Sequence, residues 1–293
     1  MTGFTPKLPM TRRRLLMAGG CAAGGLALYS GEVERHWIEI THHEIFLEGL
    51  AKEFDGFRVA QLSDIHMDAY TEPFLLRRAV RHINELHPDA VFLTGDYVSW
   101  LGAMRRLSVR AAWQCAALLD GLECRQRYAV LGNHDIMVNG ARVTEALEAH
   151  GITVLNNANL PIERGGRRFW LAGVRDPSSG VSQAEVAISE TIRNQPKEPV
   201  ILLCHAPDYA DQLLVGPVGG AVSLMICGHT HGGQVRLPFV GPVILPSMGK
   251  KYVQGWFRLG QMQLYVNRGL GTVGVPFRLN CPPEISLFTL RMA

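Results

Sequence analysis

No Cys-x-x-Cys pair occurs in the 293 residues. That absence removes the zinc knuckle and the thioredoxin-like redox motif. Beyond the N-terminal segment five cysteines remain (Cys115, Cys124, Cys204, Cys227 and Cys281), an odd number that cannot all pair internally. A disulfide framework is therefore not indicated, although a Cys115–Cys124 bridge stays open. Cys204 and Cys227 stand in apolar runs and read as buried strand thiols. Acids are missing from residues 1–30, which hold Lys7, Arg12, Arg13 and Arg14. Without those four, 25 of the 29 basic residues face 26 acidic ones, so the formal charge of +3 belongs to the N-terminus and the body is nearly neutral. Such a body offers no electrostatic case for nucleic-acid binding. Low-complexity linkers and internal repeats are also lacking after residue 31, which favours one domain over residues 36–293.

What stands at the N-terminus is "TRRRLLMAGGCAAGGLALYS" (11–30). Arginines followed by a Gly- and Ala-rich apolar stretch read as an export signal. The apolar part, Leu15–Leu28, spans 14 residues, short of the ~20 that cross a bilayer. The segment resembles a twin-arginine signal, whose translocase carries proteins out already folded. "LALYSG" is a poor cleavage site, and Cys21 lacks the aliphatic residue three positions before a lipidated cysteine. Residues 1–35 are thus expected to be an export signal or membrane anchor, leaving cleavage and lipidation open. The protein itself is expected across the cytoplasmic membrane.

Strand-like and helical patterns alternate along the body. Strand-like runs stand at 36–47, 57–64, 89–96, 127–135, 167–174, 199–205, 222–231, 262–269 and 284–290; "RGGRR" (164–168) suggests a hairpin turn. Helical spacing appears at 73–86, 108–122, 141–149 and 182–194, with Pro73 suited to a first helical turn. Short, fully apolar strands between helices indicate an α/β fold with buried sheets.

Most of these strands end in metal-capable side chains: Asp64 and His66 in "SDIH", Asp96 in "TGD", Asn133, His134 and Asp135 in "GNHD", His205 in "CH", and His229 and His231 in "GHTH". Ligands of α/β sheets gather at the carboxyl ends of strands. On an extended segment His229 and His231 would point the same way. The mixed nitrogen and oxygen donors suit Mn, Fe or Zn better than Ca or Mg. The number of donors suits two ions sharing a carboxylate, a clamp for in-line attack on a phosphoryl centre. His36, His42, His43, His82, His87 and His150 lie outside any motif and are assigned to surface or core.

The series D-x-H, G-D, G-N-H-D, H and G-H-x-H resembles the calcineurin-like metallophosphoesterase superfamily. With the signal, "GHTHGGQ" and "GLGT…PFRLNCPPEI", the chain is similar to its bacterial, twin-arginine-exported phosphodiesterase branch. The resemblance implies a four-layer α/β/β/α sandwich of two mixed sheets. It implies two divalent or transition-metal ions: Asp64, His66 and His231 on the first, Asn133, His205 and His229 on the second, and Asp96 bridging both with a hydroxide that attacks the phosphorus. His134 would stabilise phosphoryl charge or protonate the leaving oxygen, with Asp135 orienting its ring. Relatives imply a phosphodiesterase or pyrophosphatase, with a glycolipid or nucleotide-sugar substrate such as UDP-diacylglucosamine. A phosphomonoesterase and a non-catalytic metal-binding module on the same fold are the alternatives. Arg268 is a candidate for binding a substrate phosphate. The loop 97–107, with Trp100, Leu101 and Met104 beside Arg105 and Arg106, suits an amphiphilic substrate or a membrane surface.

Overall fold

The computed structural model describes residues 11–68, 73–100, 102–179, 182–194 and 198–293. Lys7, Leu101 and the side chain of Arg105 lie outside the described residues. The larger helices are α1 (Arg12–Leu28), α2 (Pro73–Leu86), α3 (Arg105–Leu119) and α4 (Asn133–Ala149). Three short ones follow: α5 (Ala184–Ala187), α6 (Glu190–Arg193) and α7 (Tyr209–Val215).

The first sheet is built from β1 (Glu39–Leu47), β2 (Arg58–Leu62), β3 (Ala90–Leu93), β4 (Arg127–Ala129), β5 (Thr153–Val154) and, late in the chain, β14 (Glu284–Met292). The second uses β6 (Ala158–Arg164), β7 (Arg167–Gly173), β8 (Val200–Leu203), β9 (Leu224–Cys227), β12 (Gly255–Leu259) and β13 (Met262–Val266), while β10 (Arg236–Leu237) and β11 (Gly241–Pro242) form a separate hairpin. Strand order is β1-β14-β2-β3-β4-β5 in one sheet and β12-β13-β9-β8-β7-β6 in the other. Each sheet has a parallel centre: β2, β3, β4 and β5 in the first, β7, β8, β9 and β13 in the second. Antiparallel contacts, β14 with β2, β12 with β13 and β6 with β7, make both sheets mixed.

Alternation along the apolar strands sorts side chains into three cores. In β3, Val91 and Leu93 face helices α2, α3 and α4, while Ala90 and Phe92 face the other sheet. In β8, Ile201 and Leu203 face that same intersheet space, and Val200 and Leu202 face α5, α6 and α7. The strands are apolar on both sides because both sides are covered. Each large side chain so buried contributes about 1.5–3 kcal/mol relative to exposure. The result is the four-layer α/β/β/α sandwich.

Three local expectations change. The run 127–135 is strand only to Ala129, and a helical piece capped by Asp135 begins at Asn133; non-helical backbone at Asn139 (φ 176°, ψ 93°) divides it from the expected helix at 141–149, the two together making α4. The helical stretch 182–194 is two single turns, α5 and α6, interrupted at Ile188 and Ser189. Cys115 and Cys124 are free thiols, as are the other four cysteines. Helix α1 has no buried residue, and the chain first packs against the body at Ser30 and Gly31.

Candidate metal centre

All five inner parallel strands that carry a motif deliver it just past their carboxyl ends. Strand β2 stops at Leu62 before Asp64 and His66, β3 at Leu93 before Asp96, and β4 at Ala129 before Asn133. From the second sheet, β8 stops at Leu203 before His205, and β9 at Cys227 before His229. The strand ladder continues into the site: Asp64 N–H donates to the Gly95 carbonyl (2.9 Å), and His66 N–H to the Asp96 carbonyl (3.0 Å).

The backbone there is strained. Asp64, His66, Asp96, His229 and His231 all have φ between 51° and 75°, a left-handed region that side chains rarely adopt. His229 and His231 are therefore not on an extended strand, as their spacing suggests. They occupy a tight turn after β9, and this separates their rings into two clusters. Two glycines make the close approach feasible. A Cβ on Gly132 would lie 2.1 Å from Asp96 Oδ1, and one on Gly228 within 2.2 Å of Asp64 Oδ2.

Asp64, His66 and His231 place one ligand atom each within 4.8 Å of one another, and Asp96, His205 and His229 do the same. Asp96 Oδ2 stands between the groups, 3.5 Å from His66 Nε2 and 3.2 Å from His205 Nε2. Tautomers follow from the outer contacts. His205 Nδ1 faces the Thr94 carbonyl at 2.7 Å, and His229 Nε2 faces the Ser247 carbonyl at 2.6 Å, so both of those nitrogens carry hydrogen. The inner pair, His205 Nε2 and His229 Nδ1, then turns lone pairs toward one point at 3.1 Å. Only a proton or a cation between them relieves that contact. His66 Nε2 and His231 Nε2 also face each other, at 3.0 Å. Asn133 Oδ1 is buried without a hydrogen-bond partner. Clustered ligand atoms of mixed N/O character, with carbonyls fixing the His205 and His229 rings from behind, fit two metal ions.

Electrostatics agree. Burial opposes ionisation of Asp96, but the charge and hydrogen bond of His205 outweigh it and hold the carboxyl well below its usual range. Burial works against the His205 cation, and Asp96 overcomes this, raising that imidazole well above its ordinary value. The field that draws a proton to His205 is the field a metal cation would occupy. Burial keeps His66 and His231 neutral, His231 being pushed further by the Arg278 guanidinium.

His134 sits at the start of α4 with its ring against His66, centroids 4.8 Å apart. Its Nδ1 accepts the Trp100 backbone N–H at 3.0 Å, so Nε2 carries the hydrogen in the neutral ring. Asp135 does not orient that ring. Its carboxylate accepts four backbone N–H groups instead, from Gly132 (2.9 Å), Asp96 (2.8 Å), Tyr97 (2.9 Å) and Val98 (3.3 Å). Asp135 thus fixes the loop that presents Asp96, and the Trp100 amide fixes His134. Arg268 is also not free for substrate: its guanidinium bonds Glu284 (3.0 Å) and Glu39 (2.8 Å).

Two functional supports escape the sequence reading. Arg278, fully buried, donates to the carbonyls of Arg268, Gly269, Gly271 and Cys281, and its NH2 lies 3.4 Å from His231 Nδ1. Gln234 bonds the backbone of Val273 and Val275. Both stand in the quoted motifs, Gln234 ending "GHTHGGQ" and Arg278 within "PFRLNCPPEI", but those motifs assign neither residue a role. A cavity of about 510 Å³ opens over His66, Asp96, Asn133, His229 and His231, rimmed by Val243, Ile244, Val273 and Val275. A second, of about 460 Å³, holds Arg35, Trp100 and Thr272, and His134 lines both.

Comparison with known proteins places this geometry. The model for calcineurin-like phosphoesterases matches residues 57–233. The chain is 34% identical over 288 residues to a metallophosphoesterase, YkuE, of Bacillus subtilis (strain 168), covering 94% of this chain and 93% of that protein. It is 32% identical over 287 residues to the phosphodiesterase YaeI of Escherichia coli (strain K12), covering 96% and 99%. Among solved structures, the NAD nucleotidase NadN of Haemophilus influenzae aligns with a TM-score of 0.50 at 14% identity, over 73% of this chain and 45% of that one, a likeness of fold.

Proposed function

The chain belongs to the calcineurin-like phosphoesterase family and is a phosphoric ester hydrolase; from that premise we propose that it cleaves a phosphodiester or pyrophosphate bond with two metal ions seated on either side of Asp96. The observation that carries this is the pair of facing imidazole contacts joined through Asp96 Oδ2. Asp64, His66 and His231 would hold one ion, Asn133, His205 and His229 the other. Two such ions, when bound, supply positive charge for the phosphoryl oxygens and acidify water at neutral pH.

The chain's own residues do the rest. Asp96 Oδ1 is pinned by the His134 N–H at 2.9 Å, so Oδ2 is the atom left to join the two groups. His134, with its hydrogen on Nε2, donates to a phosphoryl oxygen or to the leaving oxygen, and the Trp100 amide holds the ring in that tautomer. The apolar rim of the 510 Å³ cavity supports an amphiphilic substrate, a glycolipid or nucleotide-sugar pyrophosphate. The retained, tautomer-fixed His134 favours an enzyme over a metal-binding module. Export to the cell envelope belongs to the same proposal: α1 carries Arg12, Arg13 and Arg14, has no buried residue and stands off the body. No helix among the described residues is long and apolar enough to cross a membrane.

The test strips the protein of metal, reloads it with Mn²⁺ and follows bis-p-nitrophenyl phosphate for wild type and His134→Ala, with p-nitrophenyl phosphate alongside. Metal-dependent diester cleavage that falls about 10²–10⁴-fold in the variant supports the assignment. Preference for the monoester would move it to phosphomonoesterase, and two bound metals without any turnover would favour the binding module. Fusing residues 1–35 to a reporter checks export; a reporter retained in the cytoplasm refutes it.

A further inference from the structure

The hairpin that overhangs the metal centre is apolar where water would be expected. Leu237, Phe239, Val240, Val243 and Ile244 are exposed, and Phe239, at the tip, is fully so. Phe239 is held at φ 65°, a backbone state that is unfavourable for an aromatic residue and that persists where surrounding structure enforces it. An exposed apolar patch of this kind marks an interaction surface.

The hairpin is not an independent flap. The Arg236 N–H donates to the Leu279 carbonyl (2.9 Å), the Leu279 N–H to the Gln234 carbonyl (3.0 Å), and Gln234 holds Val273 and Val275. The same loop anchors the root of α1: the Arg278 N–H donates to Ser30 O (3.0 Å), the Cys281 N–H to Glu34 Oε1 (2.6 Å), and Gly31 lies against the Phe277 ring. Hairpin, loop and helix root are therefore one hydrogen-bonded platform around the mouth of the cavity. From it α1 projects with Leu15, Leu16, Met17, Leu26 and Leu28 exposed.

Charge points the same way. No Asp or Glu occurs between Asp211 and Glu284, a stretch that carries Arg236, Lys250, Lys251, Arg258, Arg268 and Arg278. The free end of α1 carries three arginines and, from residue 1 to 31, no acid. Of these cations, Lys251 is paired with Asp211, Arg268 with Glu39 and Glu284, and Arg278 is buried, whereas Arg236 and Lys250, which flank the hairpin in the chain, and the arginines of α1 have no ion pair among the described residues. Apolar tips on separate elements beside such cations match the layered chemistry of a bilayer with anionic headgroups.

We propose that the β10–β11 hairpin seats the mouth of the metal-centre cavity on an anionic lipid bilayer, with Phe239 and Val240 entering the acyl boundary. Docking itself does not depend on the hydrolytic reading, and the test keeps the two apart. Hydrogen exchange of the full chain is measured with and without vesicles of equimolar phosphatidylcholine and phosphatidylglycerol. The expected result is slowed exchange across residues 235–246 with vesicles. Protection confined to residues 11–30, with the hairpin unchanged, overturns the proposal. Protection of the hairpin that rises with protein concentration in the absence of lipid assigns it to a second copy of the chain, and also overturns it. The doubly substituted Phe239→Ser, Val240→Ser chain is expected to bind the vesicles on the order of tenfold more weakly; equal binding refutes the hairpin's role. Cleavage of soluble bis-p-nitrophenyl phosphate by the wild type is read in parallel. A protein that docks but cleaves nothing leaves this inference standing and removes only the phosphodiesterase reading.

Discussion

Replacing Gly132 by alanine adds one methyl group at the most crowded point of the metal centre. The new Cβ would stand 2.1 Å from Asp96 Oδ1 and 2.6 Å from the Asp96 backbone nitrogen. Real Cβ contacts essentially never fall below 3.0 Å, so the carboxylate must retreat by about 0.9 Å. It has no slack for that. Oδ1 holds the His134 N–H at 2.9 Å, Oδ2 faces His205 at 3.2 Å, and the backbone nitrogen is bonded to Asp135. A misplacement of about 1 Å at a catalytic group costs about 10²-fold in rate, or about 2.7 kcal/mol. Overpacking adds about 1–3 kcal/mol of destabilisation, and each kcal/mol lowers Tm by about 2–4 °C. The assay is kcat on bis-p-nitrophenyl phosphate in Mn²⁺, with metal content by mass spectrometry and a thermal melt. Gly140→Ala in the same helix serves as control, because its Cβ would meet Leu131 Cδ1 at an ordinary 3.4 Å. If Gly132→Ala kept wild-type rate and two metals per chain, the position assigned to Asp96 would be wrong.

His205→Ala is expected to lose one metal per chain and at least 10²-fold in kcat, as is His231→Ala at the other position; full metal content in either refutes its ligand set. His134→Ala is expected to keep both metals while losing kcat, which separates a proton donor from a ligand. Glu284 gives a pH prediction. Its carboxyl, which burial alone would raise, is held below the ordinary value of 4.5 chiefly by Arg268. The stabilisation is complete above pH 4.5 and is lost as pH falls through the depressed value. Glu284→Gln should therefore lower Tm at pH 7, because removing one partner of a buried pair costs up to about 3–5 kcal/mol and Arg268 would keep only Glu39, and the gap to wild type should narrow in acid. A gap independent of pH would remove the charge pair from the explanation.

The candidate site was legible because each ligand is a chemical type at a fixed offset from an apolar strand, and both properties survive in one dimension. The layers were legible for the same reason: strands covered on both faces, as at 90–93 and 200–203, must be apolar throughout. Local geometry was less accessible. The spacing of His229 and His231 suggests an extended pair, but strain that only the tertiary hydrogen bonds sustain puts both in a turn. Asp135 follows His134 in the chain and suggests a dyad, yet helix initiation turns its carboxylate toward the Asp96 loop. Arg268 looks available and is held by Glu39, 229 residues away. Arg278 and Gln234 stand in motifs visible in the sequence, but they act through backbone carbonyls and amides, so their partners are not.

Both donor triads draw on both sheets. Asp64, His66, Asp96 and Asn133 follow strands of the first, and His205, His229 and His231 follow strands of the second. Each ion would therefore be a rivet through two plates. Once bound it would tie the two sheets together, and neither half of the chain would complete a triad before the two had met. On the proposed export route, which would carry the chain already folded, cargo loaded on one side would remain in place on the other.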